Sequence, residues 1–342
     1  MTTGGAAASD LLHADDAGIE EIIEGAPAAE VVEETGTVDG KQVTALSPLQ
    51  LFWRRLRRDK VAMVALAIVV LAILVALFAP LIVNVTGAPK PNVQDPSLLD
   101  DFGSPSGPTA DNLLGVDQRG RDVFARVVYG ARISLEVAFI STFIIVLVGV
   151  VIGLIAGYYR GITDSLLTRA MDVMLAFPVL LLAIGLGVAC ADGCLNDTIK
   201  PGLTVVVTVI ALSLWPYMAR IVRGQVLSLR EKEFVEAARS LGASHSRIIF
   251  REILPNLVAP IIVYSTILIP QVILFEAALS FLGIGIDPGT PSWGSMISDA
   301  VGVFDIAWWF MTFPGLALVL TVLAFNLVGD GLQDALNPRT AK

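Results

Sequence analysis

Six long apolar stretches constrain this chain more than any other feature of its sequence. A helix needs about 20 residues to cross a hydrocarbon layer about 30 Å thick. The stretches are continuous and admit Pro and Gly, so they indicate helices and not the alternating strands of a membrane barrel. We therefore predict an all-α, multi-pass membrane protein. Its six transmembrane helices are predicted near residues 61–83, 134–158, 171–189, 203–222, 257–282 and 306–328.

The net charge of the chain is located at its N-terminus. Residues 1–46 contain ten acidic residues and one lysine, and thus account for the whole net charge of −9. They contain no aromatic residue and no apolar segment of signal-peptide length, which is typical of a disordered, retained tail. Both a solvating role and a partner-binding role stay open for this acidic tail. Residues 47–60 combine Phe52 and Trp53 with five basic residues, and predict an amphipathic helix on the inner membrane surface beside anionic lipid.

The basic residues predict the orientation of the transmembrane domain, residues 61–342. If the N-terminus is cytoplasmic, 17 of the 23 Lys and Arg residues lie on the cytoplasmic side. Cytoplasmic loops of membrane proteins carry such an excess of positive charge. We therefore expect cytoplasmic N- and C-termini, an extracytoplasmic segment at 84–133 and a cytoplasmic loop at 223–256.

The extracytoplasmic segment ends in a predicted interfacial helix. Asp122 is a typical N-cap residue, and Val123 and Val127 can face the membrane surface. Arg126 and Arg132 are then expected to face water.

The cytoplasmic loop predicts two short helices that meet at an angle. Apolar residues recur at helical spacing in the first helix. These residues are Phe234, Ala237, Ala238 and Leu241. Gly242 follows where a left-handed residue ends many helices. Ser244 can cap the second helix, which has apolar residues on one face, and Pro255 is expected to end it.

This loop resembles the EAA loop of ATP-binding cassette (ABC) importer permeases, in which Glu-Ala-Ala precedes a Gly and a later Leu-Pro. The matching residues are Glu236, Ala237, Ala238, Gly242, Leu254 and Pro255. Glu252 departs from the general pattern, which has Ile there. The resemblance implies that the loop docks on a separate ATPase through Phe234, Ala237, Ala238 and Leu241. Without it, Glu236 is equally a solvated helix residue paired with Arg239.

A second segment resembles the LLGTDxxGRDxxSRxxYGARxSL stretch of the C-type permease subunits for peptides and nickel. The matching residues are Leu113, Leu114, Gly115, Asp117, Gly120, Arg121, Asp122, Arg126, Tyr129, Gly130, Ala131, Arg132, Ser134 and Leu135. Together with later stretches, the resemblance covers about residues 47–340. It implies one permease subunit of an importer in the bacterial plasma membrane.

The same resemblance implies the partners of the chain. They are a second, homologous permease chain, two cytoplasmic ATPase subunits that bind ATP and Mg, an extracytoplasmic solute-binding protein, and a di- or oligopeptide cargo. Nickel or another small solute is the alternative cargo. A self-sufficient secondary transporter or channel is the rival class, but it predicts internal repeats and paired intramembrane charges that this sequence does not clearly show.

Polar residues in the fifth apolar stretch are the candidate pathway residues. An ionised carboxylate inside the membrane is costly, so Glu276 is expected to face either an aqueous pathway or a partner chain. Gln271 and Ser280 flank Glu276 at near-helical spacing. A hydrogen bond between subunits, without contact to the cargo, is the alternative role.

Other chemistry finds little support in the sequence. Gly40-Lys41 is followed by Gln42, and no other Gly-rich loop could hold a phosphate, so we expect no ATP hydrolysis by this chain and no cofactor of its own. The two histidines, His13 and His245, lie apart, so neither a metal site nor a catalytic triad is expected. We also expect no nucleic-acid partner. Cys190 and Cys194 are close enough in sequence for a disulfide outside the cell, and two thiols are the alternative.

Overall fold

A computed structural model describes residues 48–190, 202–284 and 289–336. Within these ranges the regular secondary structure is helical, apart from two isolated bridges, Leu99 with Pro105 and Val116 with Asp122. The helices are α1 (Pro48–Arg58), α2 (Lys60–Leu77), α3 (Ala79–Thr86), α4 (Val123–Tyr159), α5 (Gly161–Ala176), α6 (Val179–Ala189), α7 (Leu203–Arg230), α8 (Glu233–Ser240), α9 (His245–Phe281), α10 (Trp293–Ala300) and α11 (Trp308–Leu336). The predicted tail, residues 1–46, lies outside the described ranges.

The all-α prediction is confirmed, with one difference among the predicted spans. Within the described ranges, five helices are long and apolar enough to cross a membrane, namely α2, α4, α7, α9 and α11. The predicted span at 171–189 is divided between α5 and α6, which meet at an angle of 88°. Phe177 is extended (φ −81°, ψ 137°) before Pro178, as expected for a residue whose helical conformation clashes with a following proline ring. The bent pair gives a sixth span only if its two helices are counted together.

The amphipathic segment forms α1 beside the start of α2. Leu56 is buried against Ala62 and Ala335, so this helix is attached to α2 and to the end of α11. Trp53 is 41% exposed, and the Arg57 guanidinium carbon lies 5.0 Å from the centre of its ring.

Helix α4 packs closely against α7 in the core. A Cβ atom added at Gly149, Gly153 or Gly157 would lie 2.6–2.7 Å from an atom of α7. At Gly153 the nearest atom is the backbone oxygen of Ala219. Small residues four positions apart allow helices to approach closely in a membrane, where apolar burial alone favours no particular pair. We call these three glycines the glycine seam.

Residues 84–133, which the sequence predicts to be extracytoplasmic, contain a charge cluster of buried Asp117, Arg121 and Arg126. The Asp117 carboxylate accepts a hydrogen bond of 2.5 Å from Arg121 Nε, and Arg126 Nε lies 3.6 Å from it. Asp299 of α10 lies 3.5 Å from the Arg121 guanidinium and 3.8 Å from that of Arg126. The segment is therefore tied to α10 by ion pairs that the sequence reading did not find.

The start of α4 differs from the predicted interfacial helix, because it belongs to one long helix. Asp122 caps the helix as predicted, accepting a 2.7 Å hydrogen bond from the Ala125 N–H, while burial raises the pKa of its carboxyl. The helix then continues without a break to Tyr159, and Arg126 is 1% exposed. The prediction that Arg126 faces water is thus wrong, because Asp117 and Asp299 supply its opposite charges within the fold. Arg132 is exposed as predicted.

We predict that Gly153→Ala weakens the fold. The new methyl group would meet the Ala219 oxygen at 2.6 Å, and overpacking of this kind costs about 1–3 kcal/mol. Thermal unfolding of the chain in detergent measures the effect.

The matched control is Gly224→Ala in α7, where no atom lies within 4 Å of the added Cβ. This change should be neutral or stabilising, since alanine favours a helix by roughly 0.5–1 kcal/mol over glycine. Equal melting temperatures for the two variants would contradict the packing role of the glycine seam.

Candidate functional site

The cytoplasmic-loop motif forms a helix with a left-handed ending, as its sequence predicts. Helix α8 is followed by Gly242 at φ +78°. The Gly242 N–H donates to the Arg239 carbonyl, and the Ala243 N–H donates to the Ala238 carbonyl, each at 3.0 Å. These two bonds form a Schellman motif, which needs a residue with positive φ and so favours glycine. We call residues 231–244, which the resemblance predicts to couple this chain to an ATPase, the coupling segment. It has a defined turn at Gly242.

The second predicted helix begins as expected but does not end at Pro255. Ser244 Oγ accepts a 3.4 Å hydrogen bond from the Arg247 N–H and caps α9. The helix then widens into a π-helical turn at Ile248–Ile253, in which the Leu254 N–H donates to the Ile249 carbonyl. A widened turn changes which carbonyl lies opposite each N–H, so Pro255 is accommodated and α9 continues to Phe281.

The residues predicted to contact an ATPase have different degrees of exposure. Leu241 is 88% exposed and Phe234 is 39% exposed, while Glu236 and Ala237 are also exposed and Ala238 is half-buried. An exposed Leu and Phe on one short helix are consistent with a docking surface, and this role stays a prediction. At the base of the segment, Leu254 is half-buried and Pro255 is exposed.

Val235 fixes α8 to the rest of the fold, and the sequence reading missed it. Its side chain is fully buried in the main core. The face of α8 opposite the exposed residues is therefore attached to the transmembrane body. The helical spacing of Val235 with Ala238 and Arg239 carried only a weak signal, because a helix of eight residues has few positions on each face.

A cavity of about 500 Å³ lies between α6, α7 and α9. Most of its lining is apolar, and Tyr217, Tyr264 and Gln271 supply the polar side chains. Gln271 is exposed on this side of α9. The structure thus places Gln271 in a cavity large enough for a small ligand, since such sites usually measure about 300–1,000 Å³.

Glu276 and Ser280 lie elsewhere, in a closed polar cluster. Glu276 is fully buried, and its carboxylate accepts hydrogen bonds from Ser280 Oγ at 2.7 Å and Ser134 Oγ at 3.2 Å. Ser134 Oγ in turn accepts a 3.2 Å bond from the N–H of Trp293 at the start of α10. Partners from the same chain therefore surround Glu276, where the sequence reading expected an aqueous pathway or a second subunit. Gln271 and Glu276, which were expected to lie together, therefore lie at two separate sites.

Close backbone packing explains why the cluster forms at the start of α10. A Cβ added at Gly294 would lie 2.5 Å from Ala277 Cα, and one at Gly130 would lie 3.1 Å from the Trp293 ring. The Trp293 indole N–H also donates to the Val127 carbonyl at 3.1 Å. The segment Ser292–Gly294 is thus wedged between α4 and α9. The sequence did not predict this packing because the partners on α4 lie more than 100 positions away in the chain.

The remaining candidate sites are only partly described. Cys190 lies at the end of α6, and its candidate partner Cys194 lies outside the described residues, so the disulfide stays a prediction. Within the described part of the chain, no group of three His, Cys, Asp or Glu side chains could hold a metal ion.

We predict that Glu276→Gln keeps the cluster and that Glu276→Leu breaks it. Glutamine has a similar size and one carbonyl acceptor, whereas leucine leaves the buried serine hydroxyls without their acceptor. An unsatisfied buried polar group costs about 1–3 kcal/mol. Thermal unfolding in detergent and copurification with the partner permease chain measure the difference. Equal stability of the two variants would show that these hydrogen bonds do not hold α10 in place.

Comparison with known families gives two matches. Residues 149–342 match the family described as "Binding-protein-dependent transport system inner membrane component". Residues 47–102 match "N-terminal TM domain of oligopeptide transport permease C".

Individual relatives are similar over most of their length. The chain is 43% identical over 301 residues to the dipeptide transport system permease protein DppC of Alkalihalophilus pseudofirmus, covering 87% of this chain and 92% of that protein. It is also 43% identical over 293 residues to the glutathione transport system permease protein GsiD of Escherichia coli O6:K15:H31, covering 86% of this chain and 91% of the relative.

Two solved structures share the helical fold of this chain. Inward-facing structures of the MetNI methionine ABC transporter align with TM-scores of 0.51 and 0.52 at 18% and 19% identity. Each alignment covers 62% of this chain and 96% of the matched chain. The chain belongs to the binding-protein-dependent inner-membrane permeases of ABC importers, in the peptide/nickel branch of that family.

Proposed function

We propose that this chain imports di- or oligopeptides as one of two permease chains of an ABC importer. The observation that carries this proposal is the 43% identity to a dipeptide permease over 87% of the chain. Glutathione, named for the second relative, is itself a tripeptide, so both relatives favour short peptides over nickel.

The cavity between α7 and α9 supports this cargo. Its polar side chains are two tyrosines and one glutamine, and no charged residue lines it. Hydroxyl and amide groups can both donate and accept hydrogen bonds, as a peptide main chain requires. A cavity lining without charged side chains can accept peptides with different side chains. This agrees with an importer in which the solute-binding protein selects the peptide.

In the proposed importer, the coupling segment of this chain lies in the cytoplasm. Separate ATPase subunits bind ATP and Mg and hydrolyse the nucleotide, and this chain contributes no phosphate-binding loop. Closure of the ATPases would move α8 as a rigid body. Because α8 joins α7 to α9, this movement reaches two of the three helices that line the cavity.

The cargo is tested in vesicles that contain the complete importer. We expect ATP-dependent uptake of labelled di- and tripeptides, with Gln271→Leu lowering uptake about 2- to 10-fold, the effect of one lost hydrogen bond. Unlabelled peptide should compete with the labelled peptide, and nickel ions should not.

The matched control is Leu274→Ala, an exposed position on α9 that does not line the cavity. It should transport like the wild type. Nickel uptake with no peptide uptake would overturn the proposed cargo.

We also predict that Gly242→Val uncouples ATP hydrolysis from transport. A β-branched residue adopts φ +78° only with strain, so the turn after α8 should change while the membrane helices remain. The ratio of peptide imported to ATP hydrolysed measures coupling.

Ser246→Ala, at an exposed position just beyond this turn, is the control and should keep the ratio. Normal coupling in the Gly242→Val variant would show that this turn does not transmit the movement.

A further inference from the structure

Tyr158 contacts both ends of the coupling segment. It is the penultimate residue of α4 and is 5% exposed. Helix α7 ends at Arg230, just before the segment, and α9 begins at His245, just after it. Both of these residues contact Tyr158, although they are 72 and 87 positions away in the chain.

The first contact is made by Arg230. Its guanidinium donates a hydrogen bond to the Tyr158 backbone carbonyl, and its central carbon lies 5.7 Å from the centre of the tyrosine ring. The backbone bond fixes the end of α7 to the end of α4. It does not depend on the tyrosine side chain, so only the second contact is specific to this residue type.

The second contact is made by His245. Tyr158 Oη and His245 Nδ1 lie 2.8 Å apart and share a hydrogen bond, and the two rings meet edge to face with centroids 5.7 Å apart. Among the residues that the structure describes, it is the one side-chain hydrogen bond from α4 to the start of α9. Removing the hydroxyl would therefore remove the polar contact at the end of the coupling segment and leave both the contact at its beginning and the burial of Ile248 and Ile249 in place.

The glycine seam holds Tyr158 itself. Gly157 packs so closely on α7 that an added Cβ would lie 2.7 Å from Val226 Cβ. The end of α4 consequently moves together with α7. A movement of α8 reaches both α7 and α9 through the chain, and the bond to His245 joins the start of α9 to the unit formed by α4 and α7.

We propose that Tyr158 is a positioning residue for coupling, which makes α7, α9 and the segment between them move as one unit through its bond to His245. This inference rests on the coupling role of the segment given under the proposed function. The hydroxyl touches neither cargo nor nucleotide. It acts through His245, and its loss should affect coupling more than assembly.

Tyr158→Phe in the complete reconstituted importer is the central test. We expect peptide imported per ATP hydrolysed to fall about 2- to 10-fold, the change expected for one hydrogen bond, at unchanged assembly with the ATPases. The matched control is Tyr159→Phe, the same change at the next residue, which is 53% exposed and should keep the wild-type ratio.

A double-mutant cycle separates the bond from general damage. His245→Leu should lower the ratio as Tyr158→Phe does, and the double variant should be no worse than either single variant, because both remove one interaction. His245→Asn offers an amide near the position of Nδ1 and should restore most of the coupling. Additive losses in the double variant, or no rescue by asparagine, would overturn the proposal.

Stimulation of ATP hydrolysis by the solute-binding protein gives a second readout that does not depend on the identity of the cargo. If Gly242→Val alters this stimulation and Tyr158→Phe does not, the inference about Tyr158 is wrong and the coupling role of the segment stands. If peptide is not imported even by the wild type while stimulation still responds to Tyr158→Phe, the proposed cargo is wrong and the inference stands. Loss of assembly in Tyr158→Phe would show a structural role instead.

Discussion

The close approach of α4 and α7 at the glycine seam is the constraint on which the rest of the structure depends. Lipid chains are as apolar as leucine, so membrane helices gain little from burying apolar surface against each other and rely on close packing. Gly149, Gly153 and Gly157 leave no room for a methyl group beside α7. The seam brings the end of α4 to the end of α7, and there the coupling segment begins.

Buried polar groups make the opposite part of the fold rigid. Glu276, Ser134 and the Trp293 N–H connect α9, α4 and α10, while the Asp117 ion pairs tie the extracytoplasmic segment to Asp299. Breaking one partner of a buried charge cluster costs about 3–5 kcal/mol, because the remaining charge stays uncompensated. The hydrogen bonds and ion pairs named here all join residues of this chain.

The connection between the coupling segment and the cavity follows from chain order. Helices α7 and α9 both line the cavity, and α8 is the segment that joins them. A force on the exposed residues of α8 is thus applied to both helices at once. Contacts of Arg230 and His245 with Tyr158 hold the two junctions on the same point of α4, and Val235 holds α8 from its buried face.

The sequence by itself determined the helical class, most of the spans, the Asp122 and Ser244 caps and the left-handed end of α8 at Gly242, because hydrophobic length, capping and positive φ are local properties. It could not place Arg126, Glu276 or Pro255. Arg126 lies near Asp299 and Glu276 accepts a hydrogen bond from Ser134, and both of these partners are distant in the chain. Pro255 is accommodated by a π-helical turn, which the spacing of apolar residues does not predict. The separation of Gln271 from Glu276 was likewise decided only by tertiary structure. Neighbouring positions on one helix can face different helices, and packing alone selects which of them opens into a cavity.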